Sequence, residues 1–416
     1  MNKQLPPAPL GGTIAAIPSK SHAHRLLICA ALANDTTAID CRGSSRDIEA
    51  TAACMRAMGA RITGDGQRFL VTPGAQPGPC RLPCGESGST LRFLLPVAAA
   101  LGLEADFLME GRLPQRPLTP LDEQLQSHGV RLERPSPEVL HISGRLQPGA
   151  YVLPGNVSSQ YISGLLFALP LLEGESSLTV TGAVESAPYI AMTLAALEQF
   201  GISVEVSGQV YRIHPGCYHS PGRAQVEGDW SNAAFWLCAG ALGRPVSVTG
   251  LRPDSLQGDK AVLELLARFG AEMDHTADCY TAAPGTLRGI EIDAAAIPDL
   301  VPVLAVVAAA ARGETRIFNA GRLRLKESDR IASVHALLQS LGVSAEETAD
   351  GLIIHGGGIQ GGTADSFRDH RIAMAAAVAS VAAADTVTVI GAQAVEKSYP
   401  GFWEDFEYLR KTQEEL

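Results

Sequence analysis

The 416-residue chain is short of cationic charge, of aromatic rings and of paired cysteine motifs. Lys and Arg number 33 against 44 Asp and Glu, a net charge of -11. Such a surface lacks the positive field that non-specific nucleic-acid binding needs, so any anionic ligand must be held by local cations. The cysteines at 29, 41, 54, 80, 84, 217, 238 and 279 form no C-x-x-C pair, and Cys29 and Cys238 fall inside apolar helical runs. Reduced, buried thiols of a cytoplasmic protein are expected. The opening MNKQLPPAPLGGTIAAIP is broken by Pro and Gly and does not read as a signal peptide. The longest apolar stretch, LVPVLAVVAAAA at 300–311, is too short to span a bilayer and reads as a buried helix.

What the chain does have is a period of about 70 residues. A glycine follows a helix-like run and precedes a strand-like one at Gly59, Gly129, Gly201, Gly270 and Gly342, with gaps of 70, 72, 69 and 72. A polar turn between a small-residue helix and a β-branched strand recurs at 33–35, Gly102, Gly174, Gly243, Gly313 and Asp385. Six units therefore fill the chain. Each reads as strand, helix, strand, strand, helix, strand, which predicts an α/β protein with helices on mixed sheets. A unit of this size buries too little surface to stand alone, so fused units sharing cores are expected.

The polar residues keep two fixed phases of that period. First helices are predicted to start at Lys20-Ser21, Ser89-Thr90, Ser158-Ser159, Asp229, Asp299 and Asp369-His370, and second helices near Arg46, Arg116, Ser186, Gly258, Ser328 and Ser398. Ser, Thr and Asp at such positions are explained by capping of unpaired backbone N–H groups. Capping does not explain Lys20, Arg25, Arg92, Arg116, Lys326, Arg330, Arg371 and Lys397. Cations near a helix N-terminus oppose its dipole, so their clustering there points to an intervening anion, a phosphate or a carboxylate. Pairing with neighbouring Asp and Glu is the plainer alternative.

The segment PSKSHAHR at 18–25 resembles the opening motif of the 5-enolpyruvylshikimate-3-phosphate synthase family. CGESGSTLRFLLP (84–96), RPLTPL (116–121), VSSQYISGLL (157–166), SAPYI (186–190), VEGDWSNAAF (226–235), IPDLVPVLAV (297–306), RLKESDRI (324–331), DHRIAMA (369–375) and EKSYPGFWEDF (396–406) follow in the family's order. The resemblance implies an inside-out α/β barrel of two globules, three units each, with the active site in the cleft between them. One globule would be 20–227 and the other 1–19 plus 228–416. It implies transfer of the enolpyruvyl group of phosphoenolpyruvate to the 5-hydroxyl of shikimate 3-phosphate, with release of phosphate, by a cytoplasmic monomer that uses no metal or organic cofactor and binds neither nucleic acid nor membrane.

By the same resemblance, Glu327 and Lys20 donate and relay the methylene proton and Asp299 accepts the hydroxyl proton. Lys20, Gly88, Arg116, Gln160 and Lys397 would surround the phosphate of phosphoenolpyruvate, and Arg330 and Arg371 its carboxylate. The shikimate ligand would meet Lys20, with Ser21 and Arg25 at its carboxylate, Ser158, Ser159, Ser186 and Lys326 at its phosphate, Tyr189 at its ring, and Asp299 and Gln160 at its hydroxyls. The globules are expected to close on the first ligand. UDP-N-acetylglucosamine enolpyruvyl transferases share the repeat and the chemistry, but their loop cysteine has no counterpart in GRLPQRPL. A silent anion-binding protein on the same scaffold is the rival of another class.

Three departures matter. Glu86 stands where many members have Asn, Ser87 and Ser89 where Ala and Thr are commonest, and Asn319 has no certain register with the family's Asn before Lys326. A carboxylate at 86 would weaken a phosphate site, and with it the pocket that glyphosate occupies in the family, unless it pairs with a cation such as Arg116 or Arg92. The literal G-x-G-x-x-G at Gly356, Gly358 and Gly361 reads as a strand turn, because no helix opens directly after it. His22 and His24 read as surface helix residues, and His370 as either a cap and orienting residue for Arg371 or a direct active-site donor. The tail EDFEYLRKTQEEL reads as an amphipathic terminal helix.

Overall fold

The computed structural model of the protein describes residues 1–74 and 78–411. It divides into two compact units, Pro18–Val226 and Met1–Ile17 with Glu227–Leu416. Each carries its own apolar core and three sheets.

One module shows the common plan. Strand Cys80–Gly85 leads into helix Gly88–Ala100 and returns as strand Ala105–Met109, parallel to the first. A parallel pair needs such a crossover. Helix Leu121–Ser127 follows, and then the hairpin Val130–Ser136 and Val139–Gly144, whose second strand lies antiparallel to Ala105–Met109. The order is thus strand, helix, strand, helix, strand, strand: both hairpin strands come after the second helix, where the sequence reading put one before it. The hairpin follows the second helix because the recurrent glycine sits between them.

That glycine explains the period. Gly59, Gly129, Gly201, Gly270 and Gly342 all have positive φ, between 76° and 110°. After helix Arg46–Ala57 the Gly59 N–H donates to the Arg56 carbonyl at 3.0 Å and the Ala60 N–H to Met55 at 3.0 Å. This paired bonding satisfies the last carbonyls of a helix through one left-handed residue. The same pair of bonds recurs at Gly201 with Ile202, Gly270 with Ala271 and Gly342 with Val343.

The first helix of each module, at Lys20–Leu32, Gly88–Ala100, Ser159–Ala168, Trp230–Leu242, Val301–Ala310 and His370–Ala379, is buried on nearly every side. That accounts for the apolar composition of their later turns, beyond the polar and cationic residues of the first ones. Each unit is closed by strands from elsewhere in its own sequence. Arg223–Gln225 is the parallel edge beside Thr37–Asp40, and Gly12–Ala15 is the same edge beside Val246–Thr249. In the last module Asn2–Leu5, antiparallel to Val387–Ile390, replaces the hairpin, so that sheet has three strands where the others have four.

Helices Gly88–Ala100 and Ser159–Ala168 approach closely at Gly164, where an added Cβ would lie 2.3 Å from the Arg92 carbonyl oxygen. Helix propensity alone favours Ala over Gly by about 1 kcal/mol. The clash is with backbone, which cannot swing aside, so overpacking wins. Gly164→Ala is expected to lower stability by about 2 kcal/mol, read as a fall in the urea midpoint at unchanged slope.

The G-x-G-x-x-G stretch joins strand Leu352–Gly356 to strand Gly362–Asp365, as a turn between strands. The terminal helix runs Phe402–Lys411, and the rest of the tail, 412–416, lies outside the described residues. No helix among the described residues is long and apolar enough to cross a membrane.

Candidate active site

Five of the six first-helix starts are capped as their residue types require. Ser19, Ser87, Ser158, Asp229 and Asp369 accept from His22, Thr90, Gln160, Asn232 and Arg371 backbone N–H groups. The sixth, Asp299, makes no cap; helix Val301–Ala310 begins behind Leu300 without a side-chain bond. Its carboxylate turns to cations instead. The second-helix phase holds less well: Arg116 and Ser398 end 3-10 turns ahead of their helices, and Ser328 lies just outside the Asp329 cap.

In the unit Met1–Ile17 with Glu227–Leu416, Arg330 is the hub. It is 1% exposed. Its Nη1 donates to Asp299 Oδ1 at 2.7 Å, Nη2 to Glu327 Oε2 at 2.8 Å and Nε to Asp369 Oδ2 at 2.7 Å. Asp369 also accepts from Ser328 Oγ at 3.1 Å. Arg371 Nη2 reaches Asp299 Oδ2 at 3.1 Å and Ser231 Oγ at 2.9 Å, and Ser231 Oγ donates to Asp229 at 2.6 Å. The two guanidinium groups therefore already grip one carboxylate from two sides. Lys326 Nζ stands 3.8 Å from Asp299, and Lys397 is nearly buried in the turn Ala392–Lys397.

Burial would raise the Asp299 carboxyl, but Arg371, Lys326 and Arg330 outweigh it and hold the group well below the usual carboxylate range. Asp369 follows the same logic: burial pushes it up, and Arg330 and then His370 pull it down. Burial brings Lys326 down to about 8 despite the opposing pull of Asp299. The site is thus densely charged, with Arg330 and Asp369 buried and Asp299, Glu327 and Lys326 partly open to solvent.

In the unit Pro18–Val226, Lys20 opens its helix and bonds Asp47 Oδ2 at 2.9 Å. Arg25 is buried with uncharged partners: Nη1 donates to the Ser21 carbonyl, Nη2 to the Tyr189 carbonyl and Nε to Thr193 Oγ1, at 2.6, 2.7 and 2.9 Å. Burial lowers it to about 10. Ser21 and Tyr189 are thereby tied to Arg25. Arg92 Nη1 donates to Gln160 Oε1 at 2.9 Å and Nη2 to the Pro117 carbonyl at 3.2 Å, while Gln160 Nε2 donates to Ser89 Oγ at 2.9 Å. Both guanidinium groups crowd Gly88: an added Cβ would lie 2.7 Å from Arg92 Nη1 and 2.8 Å from Arg116 Nη1 and would push them aside. Gly88, Arg92, Arg116 and Gln160 therefore form one cluster at a helix N-terminus, where an anion is favoured.

Ser158 spends its hydroxyl on capping, and Ser159 is buried beside it. Ser186 is buried with φ at 54°, a left-handed conformation that costs a non-glycine residue about 1 kcal/mol or more. Glu86 turns toward the loop ahead of Arg116, where its Oε1 would lie 2.3 Å from a Cβ on Gly111. Asn319, also left-handed, donates its N–H to Asp350 at 3.0 Å and turns the chain into Gly321–Leu325. His24 is fully buried, with Nδ1 2.7 Å from Thr51 Oγ1, so it is a core residue rather than a surface one. All eight thiols are free.

Asp47, Arg92 as a holder of Gln160, Ser231 and the double bonding of Asp369 escaped the sequence reading. Asp229 and Asp369 carried the only available signal, their place in the helix-start phase; Ser231 follows Asp229 by two residues.

The sequence profile of EPSP synthase (3-phosphoshikimate 1-carboxyvinyltransferase) matches residues 5–406. The 3-phosphoshikimate 1-carboxyvinyltransferase of Clostridium kluyveri is 42% identical over 417 residues, covering 97% of this chain and 96% of its own. That of Clostridium acetobutylicum is 40% identical, over 98% and 96%. The solved EPSP synthase of Acinetobacter baumannii superimposes with a TM-score of 0.82 at 26% identity, over 98% of both chains. The enolpyruvyl transferase NikO of Streptomyces tendae, 22% identical, shares the fold with a TM-score of 0.77 over 98% of this chain and 96% of its own. With its six modules, its helix-start cations and a profile match along nearly its whole length, the chain belongs to the EPSP synthase family.

Proposed function

We propose that this enzyme transfers the enolpyruvyl group of phosphoenolpyruvate to the 5-hydroxyl of shikimate 3-phosphate and releases phosphate by addition and elimination. The observation that carries the reading is the grip of Arg330 and Arg371 on one carboxylate, in a site that also presents Glu327 and Lys326. Planar forks of this kind match a carboxylate with parallel hydrogen bonds.

Glu327 and Lys20 supply and relay the proton that the methylene carbon takes up, and Asp299 receives the proton of the attacking hydroxyl. The phosphate of phosphoenolpyruvate is held by Lys20, Gly88, Arg116, Gln160 and Lys397, and its carboxylate by Arg330 and Arg371. Shikimate 3-phosphate is held by Ser21, Arg25, Ser158, Ser159, Ser186, Tyr189, Asp299 and Lys326, with Lys20 and Gln160 touching both substrates. As the partners of Arg25 are uncharged, it has attraction to spare for a ligand carboxylate. The enzyme is taken to work as a cytoplasmic monomer.

Purified enzyme given phosphoenolpyruvate with either shikimate 3-phosphate or UDP-N-acetylglucosamine should release phosphate only with the first. Release only with the second would move the chain to the other acceptor, and silence of folded protein with both would leave a binding protein. Arg116→Ala is expected to weaken phosphoenolpyruvate by roughly 100-fold, the scale of one lost charge-assisted phosphate contact, and shikimate 3-phosphate by less than about threefold. Equal losses in the two Michaelis constants would remove Arg116 from the phosphate.

A further inference from the structure

Asp299 has two jobs that pull against each other. As a hydroxyl acceptor it needs appreciable basicity, yet it is gripped by Arg330 at 2.7 Å and Arg371 at 3.1 Å, with Lys326 at 3.8 Å. A carboxylate paired in this way is a weak base. The same two guanidinium groups are the seat assigned above to the substrate carboxylate, so ligand and Asp299 compete for one set of donors.

The competition is unequal across the cluster. Asp369 is fully buried, accepts from Arg330 Nε and Ser328 Oγ, and caps its own helix through the Arg371 N–H. Nothing can displace it without unwinding that cap. Asp299 caps nothing and is 20% exposed, so it can leave. Glu327, 15% exposed, touches Arg330 through Nη2 at 2.8 Å.

We propose that Asp299 is the resident counter-anion of Arg330 and Arg371, holding the seat of the substrate carboxylate until the substrate displaces it and thereby frees Asp299 to act as a base. This rests on the enolpyruvyl-transfer reading. Before displacement Asp299 faces Arg371, Lys326, Arg330 and Glu327, and Arg322 bears on Lys326. His370, buried beside Asp369, is the remaining titratable neighbour on the His370–Ala379 helix. Displacement removes the two closest cations from Asp299 and leaves it beside Lys326 and Glu327, so its basicity must rise.

The test is Asp299→Asn, with 2-phospholactate, which keeps the phosphate and carboxylate but lacks the reacting double bond, binding to enzyme saturated with shikimate 3-phosphate. Removal of the competitor should tighten 2-phospholactate by about tenfold while turnover of phosphoenolpyruvate falls, an opposite movement that a merely structural loss cannot give. Equal or weaker binding by folded variant would overturn the inference and leave the enzyme assignment standing. If neither wild type nor variant binds 2-phospholactate, the enolpyruvyl reading fails and the inference with it. Should the variant not fold, the wild type decides through its pH profiles. The acid limb of kcat, which reports the substrate-bound state, should lie at higher pH than that of kcat/KM for phosphoenolpyruvate. Coincident limbs would overturn the proposal.

Discussion

Glu327→Gln is expected to bind both substrates with Michaelis constants within about threefold of wild type and to lose roughly 1,000-fold in kcat, the scale of one general acid. The substitution keeps an oxygen where Glu327 Oε2 accepts from Arg330 Nη2 at 2.8 Å, so the hub stays bonded. What it removes is the exchangeable acidic proton. Losing kcat and kcat/KM in equal measure would mark an interaction made only in the transition state. Near-normal turnover would leave Lys20 as the proton donor, and Lys20→Met would then carry the whole loss. Solvent-exchange measurements separate the two cases: incorporation of deuterium into the methyl group of a stalled adduct should slow with Glu327→Gln in proportion to kcat.

Much of this fold was legible because its period rests on local chemistry. A left-handed glycine after five of the second helices, and a Ser or Asp that caps five of the six first helices, leave marks at fixed spacing. The order of the hairpin was misread because a strand ahead of the second helix and one behind it share the same β-branched composition; only the sheet pairing of Val139–Gly144 on Ala105–Met109 separates them. The types of residue in the site were also legible as cations gathered at helix starts, although pairing with Asp and Glu was the plainer account of them, and Lys20, Arg330 and Arg371 do make such pairs. Their partnerships were not. Lys20 meets Asp47 across 27 residues, Arg330 meets Asp369 across 39 and Arg371 meets Ser231 across 140. Periodicity says that such residues share a phase, but not which oxygen faces which nitrogen. The failure of Asp299 to cap is the clearest case: its sequence position matches five working caps, and only the structure shows that it has been released for other work.

Asp369 is expected to matter more to stability than any other residue of the site, and even its isostere should fail. Oδ1 accepts from the Arg371 backbone N–H at 3.0 Å and Arg330 Nη2 at 3.3 Å, while Oδ2 accepts from Arg330 Nε at 2.7 Å and Ser328 Oγ at 3.1 Å. An Asn must place its NH2 at one of these two positions, and at either it meets an N–H donor. Asp369→Ala leaves Arg330 with Asp299 and Glu327 but strips its deepest partner, and breaking a buried pair on one side costs about 3–5 kcal/mol. Asp369→Asn should lose nearly as much, against an ordinary folding stability of about 5–15 kcal/mol. Acid titration gives an independent signature. Because Arg330 and His370 hold the Asp369 carboxyl below its unfolded value of about 3.9, its contribution is complete above that pH and is lost as pH falls through the folded value. Wild type should therefore lose stability on acidification below about pH 4, and Asp369→Asn should lose less over the same interval, starting from a lower plateau. Parallel acid curves for the two proteins would show that Asp369 does not carry the charge of the hub.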